Sequence, residues 1–234
     1  MIRRSTEYGT ALIEYTLTRS ARRTLSISVH ADGVSVVAPE GADVSTIDER
    51  VRRRARWILR QQRMFAGYKP KTPPRAFVGG ETHRYLGRQY RLKIEPGSND
   101  RVRIQSGRLV VESRRPNDSS RTGEILGQWM CRRAGEVLRE RYEAAAPIAD
   151  RLRIPKPPLM ICSMKKRWGS HTPGGRIILN TRLIAARRDC IDYVIVHELC
   201  HVVEPNHSAR FFRLLRKFMP DWEQRKEMLE RSTV

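Results

Sequence analysis

The sequence lacks a long hydrophobic segment, a signal-peptide core and paired cysteines. No stretch of the 234 residues contains the roughly 20 consecutive apolar residues that a transmembrane helix requires. Residues 1–7 include two arginines, but no apolar region follows them, so no signal peptide is predicted. The four cysteines have no C-x-x-C spacing, which argues against a zinc ribbon and a disulfide framework. We therefore expect a cytoplasmic protein with reduced thiols and no membrane partner.

Acidic residues are few relative to basic ones. The chain has 25 Asp and Glu against 46 Lys and Arg, a formal net charge of +21. Such an excess favours acidic partners, so DNA or another nucleic acid is a candidate partner. The arginines are spread along the chain, and a solvated, self-repelling surface is the alternative interpretation. The sequence contains no signal for an oligomeric state and no repeat of fixed period.

One segment has the residues of a metal-binding helix. His197 and His201 are four residues apart, so on a helix their imidazoles lie on one face, with Glu198 beside them. This is the H-E-x-x-H pattern, in which two histidines bind Zn²⁺ and the glutamate is the general base. Residues 191–196 and 202–203 around it are mostly apolar, which predicts a buried helix. Buried charged groups need partners, and a zinc ion would satisfy all three side chains.

A catalytic zinc site usually has a third protein ligand, which must come from outside this helix. Pro205 ends the helix, and the turn after it allows His207 to fold back toward the metal, with Ser208 as the cap of the next helix. Glu223 is the alternative ligand and Glu227 a weaker one, because both lie on a later predicted helix. We favour His207 and place Glu223 on a solvated helix face.

Several segments together resemble the YgjP-like metallopeptidases, bacterial relatives of the SprT-like proteins. The segments that carry the resemblance are Gly79-Gly80-Glu81, Tyr85-Leu86-Gly87-Arg88, Arg167-Trp168-Gly169-Ser170, Gly175 to Asn180, Ile191 to His201, and Asn206-His207-Ser208. The resemblance implies zinc bound by His197, His201 and His207 and catalysis by Glu198. Members usually carry Cys after Trp-Gly-Ser, where this chain has His171. The SprT-like relatives act on proteins attached to DNA, which would fit the positive charge.

Three further residues near the motif have two interpretations each. His171 is either a turn residue before Thr172-Pro173-Gly174-Gly175, which we favour, or a cleft residue that binds substrate or stabilises an oxyanion. Cys200 lies within the motif, and we interpret it as a packing residue rather than a ligand. Asp192 either favours the helix dipole or hydrogen-bonds a ligand histidine.

The chain is predicted to have two regions. Residues 1–115 form a β-rich N-terminal region with one basic helix, whose apolar positions include Ile47, Val51 and Ile58. Its arginines are a solvated face or a nucleic-acid contact surface: Arg50, Arg52, Arg53, Arg54, Arg56, Arg60 and Arg63. The polar segment from Ser113 to Gly123 is the predicted boundary. Residues 120–234 form the zinc metallopeptidase domain.

The predicted fold is α+β with a zincin-like core, in which a small antiparallel sheet lies beside the H-E-x-x-H helix. The predicted function is peptide-bond hydrolysis of a peptide or protein substrate, with Glu198 as general base acting on zinc-bound water. An extended substrate would add to the edge of the strand Arg176–Asn180. The alternatives are a nucleic-acid-associated protein with a structural zinc site and a peptidase that acts on DNA-bound proteins.

Overall fold

The computed structural model describes residues 2–30, 32–66, 74–165 and 167–232. The chain forms two compact units, Met1–Thr72 and Pro73–Thr233. Each unit has its own hydrophobic core. Among the described residues, no helix has the length and apolar character needed to cross a membrane.

The first unit is a four-stranded sheet followed by two helices. The strands are β1 (Ile2–Tyr8), β2 (Ala11–Ser20), β3 (Ser26–His30) and β4 (Gly33–Pro39), in the order β1-β2-β4-β3. Two antiparallel hairpins are joined by the parallel pair β2–β4. Residues 25–37 alternate between apolar and polar positions, a pattern typical of a hairpin, and they form β3–β4. The strands β1 and β2 also lie in the region that is predicted to be β-rich.

The predicted basic helix consists of two helices, α1 (Val44–Arg53) and α2 (Ala55–Ala66). They are interrupted at Arg54, whose N–H donates to the Val51 carbonyl three residues back rather than four. This tight turn ends α1. The apolar stripe is buried as predicted, because Ile47, Val51 and Ile58 are fully buried against β2 and β4.

The second unit begins with a sheet of the same topology. Its strands are β5 (Thr82–Tyr85), β6 (Arg88–Pro96), β7 (Arg101–Gln105) and β8 (Arg108–Ser113), in the order β5-β6-β8-β7. Again two hairpins are joined by a parallel pair, here β6–β8. The strand order thus repeats although the sequence has no repeat of fixed period.

A long helix, α3 (Ser119–Ala144), covers this second sheet. Asp118 caps it by accepting the Arg121 N–H at 2.9 Å. Leu126 and Trp129 of α3 belong to the same core as Leu109 of β8. The structure therefore places the boundary between units at 72/73, and the boundary predicted at 113–123 lies inside the second unit. The difference arises because sheet and helix share one core despite the polar linker between them.

A three-stranded sheet lies next to the histidine motif. After α4 (Ala146–Leu152) come β9 (Leu159–Cys162), β10 (Gly169–His171) and β11 (Ile177–Asn180), in the order β10-β11-β9. The remaining elements are a 3-10 helix (Thr181–Ala185), α5 (Arg188–Val203), α6 (Ala209–Phe218) and α7 (Trp222–Ser232). The architecture is a mixed α+β fold, which agrees with the predicted fold class.

Two predictions about this sheet are wrong. The sheet is mixed, because β11 is antiparallel to β10 but parallel to β9. The extra strand β10 lies in the connection between β9 and β11, so the chain reverses twice, and the neighbouring strands β9 and β11 run in the same direction. The predicted edge strand, β11, is the central strand, and β10 forms one edge.

Candidate metal centre

Helix α5 is largely buried, and it places the imidazoles of His197 and His201 on one face near its C-terminal end. Ile191 and Ile195 are fully buried, and Leu199 is 2% exposed. Because the helix is apolar on most faces, it packs into the core on several sides. His197 and His201, one turn apart, are partly buried, with ring centroids 4.8 Å from each other.

The chain turn after α5 brings in His207. Glu204 ends the helix in an extended conformation (φ −130°, ψ 94°), as expected for a residue before Pro205. The Ser208 N–H donates to the Asn206 carbonyl at 2.7 Å, and the Ser208 hydroxyl accepts the Phe211 N–H at 3.2 Å. The turn and the cap of α6 therefore form as predicted and fix the position of His207.

The three imidazoles converge through their Nε2 atoms. The Nε2 atoms of His197 and His201 are 3.2 Å apart, those of His201 and His207 are 3.1 Å apart, and those of His207 and His197 are 3.0 Å apart. A tetrahedral zinc ion with Zn–N bonds of about 2.0–2.1 Å separates its nitrogen ligands by about 3.3 Å. The donor set and its spacing therefore fit zinc.

Hydrogen bonding fixes one of these rings in the metal-binding tautomer. His201 Nδ1 lies 3.1 Å from the Glu204 carbonyl, which can only accept a hydrogen bond. Nδ1 therefore carries the hydrogen, and the Nε2 lone pair faces the other two rings. The Nδ1 atom of His197 is buried and has no hydrogen-bond partner among the described residues.

The surroundings of the three rings keep them neutral. Burial, together with smaller electrostatic effects of His201, His207 and Lys226, lowers the pKa of His197 to about 3. Burial is also the main cause of the lowered pKa values of His201 and His207. Neutral imidazoles have free lone pairs at neutral pH, as metal binding requires.

The Phe211 ring contacts the imidazole rings of all three histidines. It is fully buried, and its ring centroid lies 5.0 Å from that of His197, 4.5 Å from that of His201 and 4.8 Å from that of His207. The sequence predicts it only as an apolar residue of α6. Phe211 lies four residues after His207, in the first turn of a helix that begins at the Ser208 cap. This spacing could have predicted that its ring lies beside the histidines.

Glu198 is a residue of α5, and its side chain faces β10. It is 5% exposed, and its carboxylate accepts a hydrogen bond from the His171 backbone N–H. Burial raises its pKa to about 7, while that hydrogen bond and the charge of Arg167 oppose the rise. A Cβ atom on Gly169 would lie 2.6 Å from Glu198 Oε1, so the strand approaches the carboxylate as only glycine allows. The sequence did not predict this role for Gly169.

His171 is the last residue of β10 and not simply a turn residue, although the turn follows directly. Its Nε2 is buried without a hydrogen-bond partner among the described residues, and its ring is near enough to lower the pKa of His201. The Asn180 N–H donates to the Trp168 carbonyl, and the Thr172 N–H to the Arg176 carbonyl. By the alternation of an antiparallel ladder, the backbone groups of Gly169 and His171 face away from β11.

Asn180 holds the connection that leads to β10. Its side-chain Nδ2 donates to the carbonyls of Met164 and Arg167 at 2.8 and 2.7 Å, and its Oδ1 accepts the Arg182 N–H. Trp168 packs against the core, and the Arg182 guanidinium lies 5.5 Å from its ring centroid. Asn180 and Trp168, which both belong to the family pattern, thus position β10 next to Glu198.

The other candidate residues lie apart from the histidine cluster. Glu223 pairs with Arg216 at 3.4 Å and its side chain is 67% exposed, whereas Glu227 pairs with Arg231. Cys200 is fully buried in the core, where burial raises its thiol pKa to about 12. In the described part of the chain, the cluster of possible metal ligands at this site consists of the three histidines.

The Asp192 carboxylate pairs with an arginine rather than with one of the three histidines. Its carboxylate forms a bidentate pair with Arg141 of α3, at 2.7 and 2.6 Å. It therefore ties α5 to α3, a role that the sequence did not indicate.

The comparison with known proteins decides the family. The YgjP-like metallopeptidase domain matches residues 23–232. The chain belongs to the YgjP-like metallopeptidase family. Among solved structures, the metallopeptidase zymogen jannalysin of Methanocaldococcus jannaschii is similar over 43% of this chain and 97% of its own, with 18% identity and a TM-score of 0.35. Comparison with curated proteins gave no match.

The family assignment confirms the resemblance based on sequence motifs. The segment that matches the YgjP-like family includes α5, the turn after it and α6. The three histidines and Glu198 all lie inside that segment. The chain is thus a metallopeptidase by family, with a convergent histidine cluster and a buried carboxylate beside it.

Proposed function

We propose that this YgjP-like protein is a zinc-dependent peptidase in which His197, His201 and His207 bind Zn²⁺ and Glu198 is the general base. The observation that carries the proposal is the convergence of the three Nε2 atoms at 3.0–3.2 Å, a spacing suited to a tetrahedral zinc. A closed structural zinc site would need a fourth protein ligand, and the cluster among the described residues offers three. The geometry therefore favours the peptidase over a structural zinc site.

The role of Glu198 follows from its environment. Zinc, when bound, polarises a peptide carbonyl and lowers the pKa of coordinated water toward about 7. The Glu198 carboxylate takes the proton of the attacking water and later delivers it to the leaving amine. Burial raises the pKa of Glu198, which makes its carboxylate a stronger base than an exposed one.

The substrate strand is proposed to pair with β10 rather than with β11. β10 is an edge of its sheet, and backbone groups of Gly169 and His171 face away from the neighbouring strand. An extended peptide that adds to this edge would lie beside Glu198, which already accepts the His171 N–H. The His171 imidazole would then be placed to donate from Nε2 to the substrate carbonyl oxygen.

Metal removal and return tests the proposal. Dialysis against a chelator should abolish cleavage of an unstructured protein, and one equivalent of Zn²⁺ should restore it. His207→Ala should bind less than one zinc per chain and lose activity, while the matched variant Glu223→Ala should retain both. Activity that survives chelation, or zinc loss in Glu223→Ala alone, would contradict the proposed site.

A further inference from the structure

The outward face of the β5–β8 sheet carries two arginines directly opposite each other. Leu92 of β6 and Leu109 of β8 are register partners in the core, so the residues that precede them point to the other face. These are Arg91 and Arg108, which are register partners across the parallel β6–β8 pair and are both exposed. We call them the arginine pair.

The row of residues that contains the arginine pair has no carboxylate. Thr82 of β5 is the register partner of Arg91, and Gln105 of β7 is the register partner of Arg108. The four side chains thus form a row across the whole sheet. Like charges directly opposite each other are destabilising, and adjacent strands are only about 4.8 Å apart.

The carboxylates of this face are occupied elsewhere. Glu95 pairs with Lys93 at 2.6 Å and with Arg103 at 2.8 Å, and Glu112 pairs with Arg101 and Arg103. Three cations therefore share two carboxylates. These carboxylates, Glu95 and Glu112, lie two rows away from the arginine pair on the same face of the sheet. Among the described residues, no carboxylate pairs with either member of the arginine pair.

A hollow of about 560 Å³ opens beside the arginine pair. The residues that line it include Arg91 and Arg108, together with Lys93, Asn117, Gly79 and Gly80. A Cβ atom on either glycine would meet no other atom within 4 Å, so this wall is open to a ligand. The volume lies within the range of about 300–1,000 Å³ that is typical of small-molecule sites.

We propose that this hollow binds a small phosphate-bearing anion, of the size of a nucleoside monophosphate, through Arg91 and Arg108. A guanidinium binds phosphate oxygens through two parallel N–H bonds, and two adjacent guanidiniums match the double negative charge of a phosphate monoester. A monocarboxylate would neutralise only one of them. The Asn117 amide supplies a further hydrogen-bonding group at the same hollow. This site lies outside the histidine cluster and is independent of the proposed peptidase activity.

Isothermal titration calorimetry of the full chain with inorganic phosphate and with AMP tests the proposal. The double variant Arg91→Gln/Arg108→Gln should bind both ligands at least tenfold more weakly than the parent. Arg88→Gln is the matched control, because Arg88 is an exposed arginine of the same strand on the opposite face. The affinity of Arg88→Gln for phosphate and AMP should stay within about twofold of the parent, because Arg88 faces away from the hollow. All proteins are measured at one ionic strength, so that charge screening is the same. Phosphate bound at the histidine site would be unaffected by either change.

A melting experiment without ligand gives an independent readout. Arg91→Gln should melt at a higher temperature than the parent at low salt, because the substitution removes a like-charge contact. The proposal is wrong if the parent shows no saturable binding of phosphate or AMP, or if Arg88→Gln weakens binding as much as the double variant. An oligothymidylate that binds far more tightly than AMP through the same arginines would also overturn it, since the surface would then be a nucleic-acid track.

Discussion

At the residue scale, the close approach of Gly169 to Glu198 leads to a sharp prediction. In Gly169→Ala the added Cβ would meet Glu198 Oε1 at 2.6 Å, Glu198 Cγ at 2.8 Å and Val194 Cγ1 at 2.9 Å. The carboxylate must move, so kcat should fall by about tenfold to a hundredfold, within the range of general-base contributions. Zinc content, measured by mass spectrometry of the metal, should not change.

The control for that variant is Gly174→Ala in the nearby turn. A Cβ there would meet only Thr172 Oγ1, at 3.9 Å, and Gly174 does not have a positive φ. Its kcat should match that of the parent. Equal loss in both variants would indicate that the segment as a whole, rather than the contact with Glu198, limits the rate.

His171 supports a second prediction at this scale. If its Nε2 donates to the substrate carbonyl as negative charge develops, His171→Ala should lower kcat by about a hundredfold and leave KM nearly unchanged. His171→Asn, which keeps a donor, should recover part of the loss. A change in KM alone, or no recovery with Asn, would argue that His171 only shapes β10. Steady-state kinetics on one peptide substrate provides the measurement.

At the element scale, local signals identified most of the helices and the strands that show regular alternation. The H-E-x-x-H spacing, Pro205 and the Ser208 cap are all local, and they suffice to bring His207 to the other two histidines. The three-residue strand β10 is too short to show alternation, and its position at the sheet edge depends on nonlocal pairing. For the same reason the sequence assigned the edge to β11.

The loop before β5 provides a pH-dependent prediction. Burial raises the pKa of Glu81, but hydrogen bonds from the backbone N–H groups of Phe77 and Ala76, with the charges of His83 and Arg75, outweigh it. The net pKa is lowered from 4.5, so this stabilisation is present above pH 4.5 and is lost as the pH falls through the folded-state value.

Glu81→Gln should therefore destabilise the protein by about 1.5–3 kcal/mol at pH 7, the scale of a hydrogen bond to a charged group. Below the folded-state pKa the Glu81 carboxyl of the parent is protonated and, like Gln, uncharged. The difference in unfolding free energy between parent and variant should therefore shrink. Urea unfolding curves of parent and variant, recorded from pH 7 to pH 3.5, provide the measurement. A difference that stays constant across this range would contradict the assignment.

At the scale of the whole molecule, the boundary between the compact units depends on packing that local sequence does not reveal. The polar segment Ser113–Gly123 resembles a linker, yet the strands before it and the helix after it share one core. Residues 74–233 should therefore fold without the first unit and bind one zinc. Residues 120–233 lack the sheet beneath α3, expose its apolar side chains and should aggregate. Size-exclusion chromatography with metal analysis distinguishes these outcomes.

The positive charge is a property of the whole chain and has at least one local consequence. On the sheet face that carries the arginine pair, the carboxylates are fewer than the cations they neutralise. This arrangement, rather than net charge alone, indicates where an anion would bind. The net charge of +21 by itself predicts only a general preference for acidic partners.

The central claim is that one buried carboxylate performs the proton transfers of a zinc peptidase. The most direct test compares the zinc content and the cleavage of an unstructured protein by the parent and by Glu198→Gln, which keeps the size of the side chain. We predict one zinc per chain in both proteins and a loss of kcat of at least about a hundredfold in the variant. Undiminished cleavage by zinc-loaded Glu198→Gln would contradict the account.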